Sequence, residues 1–473
     1  MATKRDLFHS YQFSVRRVVS GLVLRETDPA QTPLRRMGGA MFGSVMVAVL
    51  ALAVTGVVGV IKGGGNTSWK DGGSVIVEKE TGATYAWLQD AGTKEFALHP
   101  VLNYSSAALL VGSPDPVSVS HASLIDVPRG PRLGIPGAPD SIPPSEDFAA
   151  GPWTLCSEPA KTDAGMVAPS TALLVGTQRS AGTSVGAGSI VVKDAQTAAV
   201  YLLWNGHRFR LPQADVALTA LGLRDAPQIE VGTAMLTSLP EGPAIAPLST
   251  PAAGTPSSVV AGRAVGQVLV DKTTKQFYLV RAKDLRSISP VEASVTLSAP
   301  ATAAAYGGST PTAVEVDNAV VTSVPRVDLP PATFNDAPRE IPEPAPVAGT
   351  ANTVCATFAS GSAKLDLAVD APVEGAQLAP ATAARTENGT VLADRVLVPG
   401  GHAALVRSIQ SASATDGPLF LVTDQGIRFA VADEEAAAAL GLDAITPLEM
   451  PATLVARIPA GPALDVVSAR SPG

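Results

Sequence analysis

Residues 37–61 read MGGAMFGSVMVAVLALAVTGVVGVI, twenty-five positions without a charged side chain. As an α-helix the run is about 37 Å long, enough to cross a hydrocarbon core of about 30 Å with some tilt. Arg35 and Arg36 close it on one side and Lys62 on the other. A buried core helix would be shorter and set among amphipathic partners. A cleavable signal has an apolar region of roughly 7–15 residues and a small-residue cleavage site. This run is longer, starts later and leads into Lys62-Gly63-Gly64-Gly65. It predicts one transmembrane helix, with residues 1–36 on one side and residues 62–473 on the other.

Charge sets the orientation. Residues 1–36 carry a net +4 and the rest −12, within a formal total of −8. Positive flanks stay in the cytoplasm, so the N-terminus is expected inside and residues 62–473 form an extracytoplasmic ectodomain. The acidic balance excludes a nucleic-acid binder, which needs clustered Lys and Arg against phosphates. An apolar fraction of 46% excludes disorder throughout, while 43 Gly and 40 Pro predict many turns rather than long helices.

Ahead of the span, residues 5–25 read as an amphipathic helix. Leu7, Tyr11, Val15, Val18 and Leu22 recur on one stripe, with Arg5, His9, Gln12, Arg16 and Ser20 on another face. A basic amphipathic helix can lie on a membrane surface or dock in a partner's groove; an ordinary helix with a solvated basic face is the plain alternative. Arg16 and Arg17 are the candidate partner-binding residues. Thr27-Asp28-Pro29 would end the helix.

Two cysteines occur, Cys156 and Cys355, both on the exported side. Such a pair is expected to be oxidised, and its long loop makes the staple worth up to roughly 5 kcal/mol in the chain-entropy model. The Cys-x-x-Cys spacing of a redox pair is absent.

The exported region repeats itself. Val75-Ile76-Val77-Glu78-Lys79, Ile190-Val191-Val192-Lys193-Asp194 and Val268-Leu269-Val270-Asp271-Lys272 each lead through a polar turn to a second apolar strand holding Tyr85, Tyr201 or Tyr278. Each predicts a β-hairpin. Ala220-Leu221-Gly222-Leu223 and Ala439-Leu440-Gly441-Leu442 are each followed by Pro-x-Gly-Pro-Ala, at Pro240–Ala244 and Pro459–Ala463, and Arg208-Phe209 upstream matches Arg428-Phe429. An offset of 219 residues implies two similarly built halves. Glu434–Leu442 is expected to be a short helix. Residues 128–152 and 325–346 are too Pro-rich for sheet interiors, and each precedes a cysteine segment.

No active site assembles. Gly182-Thr183-Ser184-Val185-Gly186 has the Gly-x-Ser-x-Gly pattern, but a strand rather than the required helix is expected after it. His9, His99, His121, His207 and His402 form no metal-ligand spacing, and His207 sits at an expected hairpin turn. No phosphate-binding loop occurs, and no cofactor is called for. Asn66-Thr67-Ser68 and Asn103-Tyr104-Ser105 match a glycosylation acceptor by pattern alone.

Arg5-Asp6-Leu7, Tyr11-Gln12-Phe13-Ser14-Val15-Arg16-Arg17 and Pro33-Leu34-Arg35-Arg36 before a single span resemble EccB, the single-span core component of the type VII (ESX) secretion system of actinobacteria. Val77–Tyr85, Leu98–Ala107, the two distant cysteines and Leu239-Pro240-Glu241-Gly242-Pro243 are also similar to that family; Ile458 in place of Leu before the second Pro-x-Gly-Pro is a conservative departure. The resemblance implies an α+β, mostly β architecture: a cytoplasmic amphipathic helix, one transmembrane helix, and about four repeat modules around a central β-rich domain with pseudo-two-fold symmetry. On this chain the modules are expected near 75–112, 189–247, 266–300 and 418–466, with central segments near 113–188 and 301–417. It further implies multiple copies in a membrane complex with an EccC-like ATPase and EccD-like membrane subunits. Family members have been labelled ATPases. The residues themselves favour a structural core subunit; the alternative is an extracytoplasmic hydrolase linked to secretion.

Overall fold

Four times along the chain, a three-stranded antiparallel meander runs into a helix and then a fourth strand that returns parallel to the first or to its edge of the sheet. The computed structural model describes residues 3–25, 33–61, 67–90, 92, 94–162, 165–177, 182–333, 335–348, 352–362, 364–371, 373, 375, 379–411 and 413–473. The expected helix stop at Thr27-Asp28-Pro29 and the exit at Lys62–Gly65 lie outside them, as does Asn66.

The chain divides into two units, one of which holds the N-terminal helices together with residues 77–82 and 118–127. Helix α1 (Lys4–Leu24) opens on a capping box in which Thr3 and Asp6 satisfy each other's backbone N–H groups. It ends at Arg25 in the left-handed conformation. Helix α2 (Pro33–Ile61) contains the apolar run, and none of Gly38–Thr55 is buried within the chain.

The other unit holds most of the sheets. Module 1 comprises β1 (Val75–Glu78), β2 (Thr84–Gln89), β3 (Phe96–Pro100), α3 (Tyr104–Val111) and β4 (Pro116–Val119), in the order β3-β2-β1-β4. Strands β5 (Trp153–Lys161), β6 (Val167–Leu174) and β7 (Thr183–Ser184) follow. Module 2 is β8 (Ser189–Asp194), β9 (Val200–Trp204), β10 (His207–Arg210), α4 (Ala214–Ala220), β11 (Gln228–Val231) and α5 (Thr233–Ser238). Its order is β10-β9-β8-β11, with β11 parallel to β8. Module 3 repeats the pattern with β12 (Val268–Asp271), β13 (Phe277–Val280), β14 (Leu285–Ile288), α6 (Pro290–Ser298), β15 (Val314–Val316), α7 (Asn318–Thr322) and β16 (Arg326–Val327). After β17 (Val354–Phe358), β18 (Asp366–Val369) and β19 (Arg395–Leu397), module 4 is β20 (Ala403–Ile409), β21 (Leu419–Thr423), β22 (Arg428–Val431), α8 (Glu434–Ala439), β23 (Leu448–Pro451) and α9 (Ala452–Val455). A last helix, α10, spans Val466–Ala469.

The sequence periodicity opened module 4 at 418, whereas β20 at 403–409 is the first strand of that sheet, paired with β21. Strand β20 has Ser408 where β8 and β12 have an acid, and a longer segment, not a tight charged turn, separates it from β21. Modules 1 and 3 likewise run on to β4 and β15, beyond 112 and 300.

Between the modules lies a six-stranded sheet, β19-β6-β5-β17-β18-β7, drawn from both halves of the chain. Its apolar face carries Trp153, Leu155 and Phe358, and these share one core with Val192, Leu203 and Met235 of module 2 and with Val406, Met450 and Leu454 of module 4. Modules 1 and 3 attach through equivalent helices: α3 touches α8, and α6 touches α4. Ser294 of α6 donates to the carbonyl of Ala220 at the end of α4, at 2.7 Å. The pseudo-two-fold therefore relates the pair of modules 1 and 4 to the pair of modules 3 and 2.

Candidate functional site

The third strand of each module would be an open sheet edge, a template for unwanted pairing. In every module a returning segment covers it. Residues 128–133 run beside β3, 240–241 beside β10, β16 beside β14, and 460–464 beside β22, all parallel. In three modules that segment is Pro-x-Gly-Pro, and its glycine lies flat on a ring. A Cβ on Gly242 would stand 2.1 Å from the Phe209 ring, and one on Gly461 2.3 Å from Phe429. One on Gly130 would stand 2.2 Å from His99. In module 3 the cover is β16, which sets Leu285 opposite Arg326 and Arg286 opposite Val327, so no ring is covered by it there. Sequence reasoning missed Pro128-Arg129-Gly130-Pro131 because its ring partner is a histidine. The repeated four-residue motif was the signal that could have found it.

A second device recurs where the first strand ends. Asp194 accepts from the Gln196 N–H (3.0 Å), Thr197 (2.8 Å) and Thr233 (2.7 Å), the first residue of α5. Burial pushes its carboxyl up, but these bonds outweigh it and hold the pKa below the ordinary value. Asp271 accepts from Asn318, the first residue of α7 (2.6 Å), and from the Thr273 N–H (2.7 Å). The Asn318 amide, with the turn N–H groups, lowers its pKa. Glu78 takes the same place in module 1, bonded to Thr81 and His121. Each carboxylate ties the hairpin turn to the residues that follow the fourth strand. Module 4 has Ser408 there.

The two halves also meet directly. Thr453 of α9 donates to the Ser238 carbonyl at 2.9 Å. Arg457, buried, donates to Thr237 (3.0 Å), to the Val391 carbonyl (2.6 Å) and to the Thr453 carbonyl (3.0 Å). Burial lowers its pKa, helped by Arg428 and Arg208 nearby. At the offset of 219 its counterpart is Ser238, so the clamp breaks the pseudo-symmetry.

Cys156 and Cys355 are directly opposed on antiparallel β5 and β17 and form a disulfide, both fully buried. The staple joins the two halves in the middle of the central sheet.

Arg16 and Arg17 lie exposed on α1, with the Arg17 guanidinium 5.9 Å from the Phe13 ring centroid. Leu7, Tyr11, Val15, Val18 and Leu22 are exposed, while Ser20, expected on the polar face, is buried. The apolar stripe of α1 is thus uncovered by its own chain, although α1 touches α2.

Gly182–Gly186 is followed by β8 and not by a helix, so it lacks the nucleophile-elbow geometry. His207 follows an Asn205-Gly206 turn with φ positive at both residues, and its ring is held by the Asn205 carbonyl and Asn335. Among the described residues no three His, Cys, Asp or Glu side chains gather as metal ligands.

The family model "Type VII secretion system ESX-1, transport TM domain B" matches residues 1–471. The chain belongs to the EccB family. "ESX-3 secretion system ATPase EccB3" of Mycolicibacterium smegmatis is 29% identical over 485 residues, covering 98% of this chain and 89% of that protein. "ESX-2 secretion system ATPase EccB2" of Mycobacterium tuberculosis is 29% identical over 419 residues, covering 83% and 80%. Among solved structures, the EccB3 dimer from the ESX-3 core complex is 27% identical with a TM-score of 0.59, covering 84% of this chain and all of that one. A chain of the intact ESX-5 inner membrane complex aligns over 100% of this chain and 96% of its own, with a TM-score of 0.60 and 24% identity, and so shares the fold. The EccB relatives carry the word ATPase in their names; this chain has no Gly-x-x-x-x-Gly-Lys-[Ser/Thr] loop.

Proposed function

We propose that this EccB-family chain is a structural core subunit of a type VII secretion membrane complex. α2 anchors it with the N-terminus in the cytoplasm, and the modules form a rigid extracytoplasmic scaffold. The observation that carries the reading is the division of labour along the chain. Four modules and a stapled sheet close on themselves, while α1 presents an uncovered apolar stripe and a basic face beside the span. The relatives' structures are titled as parts of ESX inner membrane and core complexes, one of them as a dimer. Assembly in several copies with EccC-like ATPase and EccD-like membrane subunits follows, with Arg16 and Arg17 among the contacts.

Catalysis by this subunit is not part of the reading. Phosphoryl transfer needs a backbone cradle for phosphate and a positioned cation, and the ectodomain faces a compartment without ATP. The relatives' names keep one alternative in view, an extracytoplasmic hydrolase. Purification of the tagged full chain in mild detergent distinguishes them. The scaffold reading expects EccC- and EccD-like subunits to co-purify, and no ATP turnover that follows this subunit once they are removed. Turnover that tracks the isolated chain and disappears with one acidic or basic substitution would establish the hydrolase.

A further inference from the structure

Modules 2 and 4 hold an arginine in the same setting, and only one of the two has a counter-ion. Arg208 on β10 stands beside Glu241 of its covering segment, and Arg428 on β22 beside Ala460 of its own, both in parallel register. Each guanidinium lies over a ring of the neighbouring strand, Tyr201 at 5.6 Å and Phe420 at 4.9 Å from the centroid. Each Nε donates to the carbonyl just before Pro-x-Gly-Pro, Leu239 at 3.4 Å and Ile458 at 3.0 Å. There the likeness ends. Arg208 also donates from Nη2 to the Glu241 carboxylate at 2.7 Å. Arg428 has no carboxylate, and its two terminal nitrogens make no hydrogen bond among the described residues. Burial holds its pKa below the ordinary arginine value.

Arg457 adds a third guanidinium. It is buried, its Nε and Nη1 go to Thr453, Thr237 and Val391, and its Nη2 is unbonded among the described residues. The charged groups that act on it, Arg428 and Arg208, are both of its own sign. Carbonyl and hydroxyl oxygens satisfy its donors without supplying negative charge. Three guanidiniums thus share one carboxylate where the two halves meet, which leaves two positive charges unmatched. Withdrawing charge of one sign from water is costly unless an opposite charge accompanies it. We infer that this seam binds a divalent oxyanion, a phosphate or sulfate group, at the place on Arg428 that Glu241 takes on Arg208. The planar fork of a guanidinium matches the spacing of such oxygens, and Arg457 and Arg208 add attraction from farther away. Ala460 is exposed and carries nothing beyond Cβ, so the place of the carboxylate is open. The inference stands apart from the assembly reading, since it concerns ligand binding by the ectodomain and not the contacts of α1.

The test is isothermal titration of the full chain in detergent at about pH 8, where a phosphate group carries close to two charges. The probes are inorganic phosphate, sulfate, glycerol 3-phosphate and, at matched ionic strength, acetate. Phosphate and sulfate are expected to bind about tenfold tighter than acetate. Arg428→Gln should weaken phosphate binding about tenfold. Ala460→Glu should weaken it as much, because it gives module 4 the internal carboxylate of module 2. Unchanged tryptophan fluorescence verifies that each variant is folded. Glycerol 3-phosphate tells the sources apart: affinity equal to that of phosphate admits an ester's terminal group, and no binding confines the site to the free ion. No phosphate binding at millimolar concentration, acetate as tight as phosphate, or phosphate binding indifferent to either substitution would overturn the inference.

Discussion

The N-terminal arm and the ectodomain treat their apolar residues in opposite ways. Leu7 and Leu22 of α1 are 65% and 79% exposed, whereas Phe209 and Phe429 are at most 2% exposed under their covering glycines. Burial of apolar area is the main favourable term in folding. The ectodomain can thus be stable by its own packing, and the arm is completed only by something outside the chain. Stability and assembly should then be separable by mutation. All four tryptophans, Trp69, Trp87, Trp153 and Trp204, lie beyond the span, so their fluorescence reports on the ectodomain while co-purification reports on the arm.

The largest expected effect is loss of the staple. Cys156→Ser with Cys355→Ser should lower ectodomain stability by about 2–5 kcal/mol, read from tryptophan unfolding in denaturant. An unchanged midpoint would mean that the central sheet does not depend on the link between the halves. Next are the glycines that lie on rings. Gly242→Ala or Gly461→Ala should cost about 1–3 kcal/mol, because a methyl group must displace Phe209 or Phe429. Val327→Ala in module 3, where no ring is covered, should cost less. Equal losses would argue against the lock.

The smallest effect is in acid. Asp194 and Asp271 have folded-state pKa values below the ordinary carboxylate value. Their stabilisation is therefore complete above about pH 4, the unfolded range, and is lost as pH falls through their lowered values. Asp194→Asn should flatten the acid limb of stability against pH. In module 4, with Ser408 in that position, Ser408→Ala should leave the limb unchanged.

The span was legible because twenty-five uncharged residues allow few alternatives, and the modules because strand, turn and Tyr recur at matched spacing. What stayed hidden depended on tertiary partners. The edge-covering role of Pro128–Leu133 cannot be seen until β3 is known to need a cover, and Gly130 pairs with His99 rather than with the phenylalanine of the other repeats. Strand β20 lacks the acid that marks its equivalents. The burial of Ser20 depends on packing of α1 that helical periodicity alone does not contain. Arg457 reads as a surface residue until α9 is brought against α5.

The most direct test of the two-region account is the full chain carrying Arg16→Glu and Arg17→Glu, purified in mild detergent beside the unaltered chain. The account predicts normal membrane insertion and an unchanged tryptophan unfolding midpoint, with a several-fold loss of co-purifying EccC- and EccD-like subunits. Complex yield equal to that of the unaltered chain would contradict it.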